Sequence, residues 1–120
     1  MSGSNAEAMR EIMQRATDGT PAGVAAAAAL MADDARIWQQ GVGWVGKAEK
    51  IAMWSRSEGH PAKTVIRSLV VSGDDVAVEA TVATAAGSVL VAMFGRFRDG
   101  KLAEGREYFP PAPVGAIFQD

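Results

Sequence analysis

The chain has 120 residues, of which 48% are apolar, a formal net charge of −2 and no cysteine. This composition fits one globular domain and excludes a disordered protein, a disulfide framework and thiolate chemistry. No basic stripe indicates a nucleic-acid partner, no secretory signal is visible, and the longest apolar stretch (22–32) is too short to cross a membrane. We therefore expect a cytoplasmic protein without nucleic-acid or membrane partners.

The two ends of the chain differ in composition from its middle. Residues 1–6 resemble a leader sequence added for expression, and residues 111–120 form a proline-containing segment that is expected to lie on the surface. The domain itself is therefore expected over residues 7–110.

Two helices are predicted at the start of the domain. Residues 6–17 place apolar side chains at helical spacing, and Gly19 ends this helix. Thr20 is suited to cap a second helix, with Pro21 in its first turn, that reaches about Met31. The many alanines of this helix have little bulk, so we expect it to pack closely under a sheet, although high helix propensity explains them equally well.

A short strand, a loop and a third helix follow. The acidic pair at 33–34 predicts a break, residues 35–39 a strand, and residues 40–43 a loop. The third helix is predicted over 46–54. The side expected to face the core carries Val45, Ala48, Ile51 and Ala52.

The second half of the chain predicts four antiparallel strands. A β-branched run covers 63–71, two-residue alternation continues over 76–83, and two further strands cover 88–98 and 101–109. The Asp-Gly pair at 99–100 is the strongest hairpin signal in the chain. The expected class is therefore α+β, with helices covering one face of a mostly antiparallel sheet.

One of these strands, Ser88 to Phe97, is apolar on both of its faces. Its two sets of side chains are Val89, Val91 and Met93 on one face and Leu90, Ala92 and Phe94 on the other. A strand with one solvated face should alternate apolar and polar residues. Because helices cover only one face, we expect a homodimer in which a second copy covers the other.

Four segments, in order, carry a resemblance to a known family: LMADDARIW, GWVGKAEKI, GDDVAVEATV and FRDGKLAEGREYF. Over residues 8–110 the chain resembles the nuclear transport factor 2-like superfamily, in particular its SnoaL-like and ketosteroid-isomerase-like branch. The resemblance implies a strongly curved sheet wrapped round three helices, a cystatin-like cone with an internal apolar pocket, and commonly a homodimer. Isomerases, cyclases, dehydratases, epoxide hydrolases and binding domains share this fold, so the fold does not identify a reaction.

The resemblance also locates the catalytic positions of the steroid isomerases. Their general base aligns with Gln39, whose amide cannot take up a proton near neutral pH. Their oxyanion-binding positions align with Met13 or Ile12 and with Met93, which cannot donate a hydrogen bond. The isomerase set is therefore absent.

Glu107 matches one acidic position of the limonene epoxide hydrolase branch, whose arginine and aspartate are replaced here by Ala80 and Val82. The resemblance places Glu107 on the pocket side of the last strand. A carboxylate in an apolar pocket has a raised pKa, so we expect Glu107 to handle a proton or orient a ligand. The alternatives are exposure to solvent or an ion pair with Arg67, His60 or Arg96.

Large side chains are the expected lining of the pocket. Trp54 aligns with a pocket-side aromatic residue of the isomerases, and Trp44 lies in the loop where the pocket mouth is expected. The complete set of predicted ligand-binding residues is Gln39, Trp44, Trp54, Met93, Met13 and Phe109. Simple core filling explains the aromatic rings equally well.

The sequence predicts neither a metal nor a cofactor, since His60 is the only histidine and no phosphate-binding loop is present. Three functions stay open. The first is a binding or carrier domain for a small apolar molecule. The second is an enzyme acting on such a molecule, with Glu107 as acid or base and Gln39 orienting a carbonyl or hydroxyl group. The third is an interaction module whose pocket is filled by Trp44, Trp54, Met9 and Met13.

Overall fold

The computed structural model describes residues 4–110, so residues 1–3 of the predicted leader and the predicted tail lie outside the described residues. Within this range the elements are α1 (Ser4–Arg15), α2 (Pro21–Ala29), β1 (Met31–Gln39), β2 (Gly43–Gly46), α3 (Lys47–Ser55), β3 (Lys63–Ser72), β4 (Asp75–Thr84), β5 (Gly87–Arg98) and β6 (Lys101–Tyr108). The predicted α+β class is confirmed. None of the described helices is long and apolar enough to cross a lipid bilayer.

The strands form one curved, unclosed sheet in the order β2-β1-β6-β5-β4-β3. Every pair of neighbours is antiparallel except β1 and β6, which are parallel. The predicted Asp-Gly turn is present, with φ of 54° at Asp99 and 79° at Gly100. Positive φ at both residues gives the backbone twist that a two-residue hairpin needs. The parallel pair joins the first strand of the chain to the last.

The structure corrects the prediction for the first two strands. β1 begins at Met31, and the acidic pair predicted to break the chain lies inside it. Both carboxylates are exposed and paired, Asp33 with Lys47 and Asp34 with Arg98. β2 was not expected, because a strand of four residues is too short to show alternation.

Helix α2 begins as predicted. The hydroxyl oxygen of Thr20 accepts a hydrogen bond from the Gly23 backbone N–H at 2.9 Å. The helix packs mainly on α1 and α3 rather than under the sheet. Gly23 permits the approach to α1, since a Cβ there would stand 2.3 Å from the carbonyl oxygen of Arg15.

Helix α3 confirms the predicted inward side only in part. Its buried residues are Lys50 and Trp54. Of the four residues predicted to face inwards, Val45 is buried but belongs to β2, and Ile51 is half-buried against the core. Ala48 and Ala52 are exposed. Trp54 is the largest apolar side chain of this helix, and its burial brings Lys50, one helical turn earlier, inwards as well.

The core lies between the helices and one face of the sheet, which we call the inner face; the opposite face is the outer face. The largest fully buried side chains of the core are Phe97, Met9, Ile12, Met31, Ile37, Leu102 and Val76. Gly95 on β5 makes room for them, since a Cβ there would stand 2.4 Å from Met9 Cε.

Candidate functional site

Three neighbouring strands each place one of the predicted site residues on the inner face. Gln39 of β1 is paired in register with Glu107 of β6, and Glu107 with Met93 of β5. Directly paired residues project from the same face of a sheet. Met93 is buried and Ile37, two residues before Gln39, is fully buried, so this face is the one covered by the helices.

Lys50 meets these residues from helix α3. Its Nζ donates hydrogen bonds to Gln39 Oε1 at 2.7 Å and to Glu107 Oε1 at 2.6 Å. The Lys50 side chain is 6% exposed and that of Glu107 is 21% exposed. We call Gln39, Lys50 and Glu107 the polar cluster. It connects one helix to two strands through an ion pair and an amide.

The surroundings of Lys50 compensate the burial of its charge. An ammonium group removed from water is costly unless it is paired and hydrogen-bonded. Glu107 supplies the negative charge, and Gln39 supplies a second acceptor. The ring of Trp54 completes the site, with its centroid 5.8 Å from Lys50 Nζ, a distance at which the ring face attracts a cation.

The ion pair resolves the alternatives left open for Glu107. Its partner is Lys50, and none of the three cations considered from the sequence. Arg96, for example, pairs with Asp75 on the outer face at 2.9 Å. Lys50 is missing from the predicted site because lysine is usually solvated. The one signal that could have identified it is its spacing of four residues from Trp54.

Two atoms of the polar cluster keep hydrogen-bonding capacity. Among residues 4–110, neither Glu107 Oε2 nor the amide nitrogen of Gln39 has a hydrogen-bond partner. A carboxylate oxygen accepts, and an amide nitrogen carries two N–H donors. The cluster can therefore both accept and donate a further hydrogen bond at these two atoms.

The other predicted residues divide between the two faces. Trp54 lies beside the cluster, and Phe109 follows β6 directly, with its backbone N–H donating to Gln40 Oε1 at 2.8 Å. Met13 is half-buried and packs on the main core. The structure thus brings Gln39, Met93, Glu107 and Trp54 together.

Trp44 lies away from these residues, on the outer face, and not at the expected pocket mouth. It is paired with Trp38 across the two strands and is 44% exposed. The guanidinium carbon of Arg36 lies over the Trp44 ring, 4.2 Å from the ring centroid. The cause is strand alternation: the neighbouring Val45 takes the buried position, so Trp44 must point outwards.

The outer face carries a row of aromatic rings. Tyr108 lies 5.4 Å from Trp38 and 5.9 Å from Phe94, between ring centroids. A concavity of about 650 Å³ opens beside Phe94 and Tyr108. A second, of about 570 Å³, is lined mainly by charged residues that include the Arg96–Asp75 pair. Neither concavity contains a residue of the polar cluster, so the hollows of the outer face and the polar chemistry of the inner face are separate.

Metal binding finds no support in the described part of the chain. Across residues 4–110, no group of three or more histidine, cysteine, aspartate or glutamate side chains is arranged to hold an ion.

Comparison with known families identifies the domain. Residues 6–105 match the family described as the SnoaL-like domain. The chain belongs to the SnoaL-like family. The resemblance seen in the four sequence segments is therefore confirmed. No curated protein sequence matches this SnoaL-like chain.

Solved structures agree with the expected cone fold. A putative SnoaL-like polyketide cyclase from Jannaschia sp. CCS1 superposes with a TM-score of 0.80 at 21% identity, covering 98% of this chain and 93% of the other. An LEH-like epoxide hydrolase of M. tuberculosis gives 0.70 at 21% identity, covering 94% and 87%. A hypothetical protein with a ketosteroid isomerase-like fold from Catenulispora acidiphila DSM 44928, in complex with trimethylamine, gives 0.71 at 20% identity, covering 89% and 90%. At these identities the likeness establishes the fold alone.

Proposed function

We propose that this SnoaL-like domain binds a small apolar molecule in an apolar pocket on the inner face of the sheet. The polar cluster contacts a polar group of that molecule. The observation that carries the proposal is a pair of atoms without a partner among residues 4–110, Glu107 Oε2 and the Gln39 amide nitrogen, beside the nearly buried Lys50. Replacing a buried ion pair by apolar side chains is often neutral or stabilising, so fold stability alone gives little reason to keep one.

Glu107 is the group of this site that is suited to acid–base chemistry. A reaction of the isomerase, cyclase or hydrolase type would use Glu107 to transfer a proton and Gln39 to orient a carbonyl or hydroxyl group. A putative polyketide cyclase and an epoxide hydrolase share the fold of this chain, so the fold is compatible with such chemistry. The known isomerase and hydrolase residue sets are absent, so the reaction would depend on the polar cluster. The cytoplasmic location stays a prediction.

A nuclear magnetic resonance titration tests the binding proposal. Acetophenone, an apolar ring with one carbonyl group, is added to the ¹⁵N-labelled chain. We expect shifts at the amide signals of Gln39, Met93 and Glu107, and weaker binding in Gln39→Leu, which removes the donor for the carbonyl oxygen. The control is Glu104→Gln on β6, whose side chain lies in the outer-face concavity. Shifts confined to Trp38, Phe94 and Tyr108, or equal affinity for both variants and the wild type, would contradict the proposal.

The outer face favours a second candidate function, that of a dimerisation module without chemistry. Leu90, Phe94 and Val70 are 52%, 49% and 62% exposed on this face. A contiguous apolar surface of this kind is typical of an interaction site. Burial of Met9 and Trp54 supports the related idea of a filled pocket. We infer that a second copy covers the outer face.

Light scattering tests this association. At micromolar concentration we expect the mass of two chains for the wild type and a shift towards one chain for Phe94→Glu. Val42→Glu, which places the same charge at an exposed loop residue, should leave the mass unchanged. A wild-type mass of one chain would exclude the homodimer.

A further inference from the structure

We infer that the polar cluster selects neutral molecules in which a hydrogen-bond acceptor lies beside a donor, such as a carboxamide or a hydroxy-ketone, and rejects carboxylates. This inference rests on the proposed function, because it names the chemical class of the molecule bound on the inner face. It follows from the way in which Lys50 orients its two partners.

Lys50 determines which atoms of Gln39 and Glu107 are presented to a ligand. An ammonium group has three donors and no acceptor, so any group bonded to it must turn an acceptor towards it. Gln39 therefore directs its oxygen at Lys50 and its amide nitrogen away. Glu107 uses Oε1 for Lys50 and leaves Oε2 without a partner among the described residues.

The two presented atoms belong to neighbouring side chains. Gln39 and Glu107 are directly paired across adjacent parallel strands, which lie about 4.8 Å apart. Both bind the same Lys50 nitrogen, so their side chains extend side by side. A ligand thus meets an N–H donor from Gln39 next to an acceptor oxygen from Glu107.

This arrangement is complementary to one class of molecule. A carboxamide can accept from Gln39 through its carbonyl oxygen and donate to Glu107 through its nitrogen. A carboxylate has no proton to donate and brings a negative charge to Glu107, which is costly where water is restricted. The charge of Lys50 offers little compensation, since Glu107 already balances it. Lys50 itself is a positioning residue, because its side chain is only 6% exposed.

Benzamide and benzoate, which have nearly the same shape, test the selection. We expect the wild-type chain to bind benzamide about tenfold more tightly than benzoate, the ratio that one hydrogen bond to a charged group provides. The side-chain amide signals of Gln39, assigned by their loss in Gln39→Leu, should shift with benzamide.

Glu107→Gln gives the sharpest contrast. The substitution keeps the shape of the side chain but leaves the Lys50 charge unbalanced and adds a donor, so benzoate should become the tighter ligand. Glu104→Gln on the outer face should leave the wild-type ratio unchanged. If Glu107→Gln does not fold, the double variant Lys50→Met with Glu107→Leu serves instead. It removes the acceptor and the charge of Glu107 together with the charge of Lys50, so it should bring the affinity for benzamide down towards that for benzoate.

The outcomes separate the inference from the proposed function. Equal affinities for the two ligands in the wild type, a preference for benzoate, or the same ratio in folded Glu107→Gln would overturn the inference and leave inner-face binding in place. Failure of benzamide, benzoate and acetophenone alike to bind would contradict the proposed function and the inference together.

Discussion

The inner and outer faces of the sheet carry different side chains on the same three strands. On β1, β6 and β5, each inner site residue has an aromatic neighbour in sequence that points outwards. The inner residues are Gln39, Glu107 and Met93, and their outer neighbours are Trp38, Tyr108 and Phe94. Both faces depart from the usual arrangement, since the covered face holds an ion pair and the uncovered face holds aromatic rings.

The contrast teaches that the two faces support different kinds of proposed partner. A nearly buried ion pair that keeps a donor and an acceptor without partners among residues 4–110 suits a ligand with a polar group. Exposed aromatic rings indicate a partner with a large apolar surface. The small molecule and the second chain that we propose are the corresponding partners.

The largest expected effect comes from filling the inner face. Gly95→Val should lower the free energy of unfolding by about 3 kcal/mol, because overpacking forces close-packed neighbours to move. The neighbours here, Met9 and Phe97, are 0% and 2% exposed. Urea denaturation measures the change. Ala77→Val, beside the concavity of the outer face, should change stability by less than about 0.5 kcal/mol in dilute solution. Equal losses in the two variants would show that the faces are packed alike.

An intermediate effect is expected from breaking the ion pair. Lys50→Met should cost about 2 kcal/mol in urea denaturation, less than for a fully buried pair because Glu107 is 21% exposed. The exposed Lys101→Met is the control and should change little. Adding Glu107→Leu to Lys50→Met should restore most of the loss, because it removes the unpaired carboxylate. A double variant less stable than Lys50→Met would show that the pair is needed for stability rather than for binding.

The smallest effect is expected from an ion pair on the outer side. The hydrogen bond from Arg98 holds the pKa of Asp34 below its ordinary value of 3.8. A carboxyl group with a lowered pKa in the folded state contributes stability above pH 3.8 and loses it as the pH falls through the lowered value. Both side chains are more than half exposed, so Asp34→Asn should change the urea midpoint only slightly at pH 7. Any difference should shrink as the pH falls below 3.8. A large loss that does not shrink with falling pH would contradict this view.

The sheet of the second half of the chain could be predicted because its signals are local. Alternation over β4, the apolar β-rich run of β5 and the Asp-Gly turn at 99–100 need no information from elsewhere. The start of β1 and the existence of β2 depend on partners distant in sequence. Asp33 and Asp34 are tolerated inside β1 because Lys47 and Arg98 pair with them.

The site could be predicted only in part for a similar reason. Glu107 and Gln39 lie in segments that resemble the family, and strand alternation places both on one face. Lys50 could not be predicted as a site residue, because its position depends on tertiary structure. The burial of Trp54 determines the rotation of α3, and the parallel pairing of β1 and β6 places two acceptors beside Lys50. Trp44 was expected at a pocket mouth because its strand, β2, was not predicted.

The three tryptophans allow one measurement to test the division between the faces. Trp54 lies beside the polar cluster, whereas Trp38 and Trp44 lie on the outer face. Their indole N–H signals are followed in ¹⁵N spectra during a benzamide titration and during serial dilution of the chain. We expect benzamide to shift the Trp54 signal alone and dilution to shift those of Trp38 and Trp44. A benzamide shift confined to Trp38 and Trp44, with Trp54 unchanged, would contradict the account.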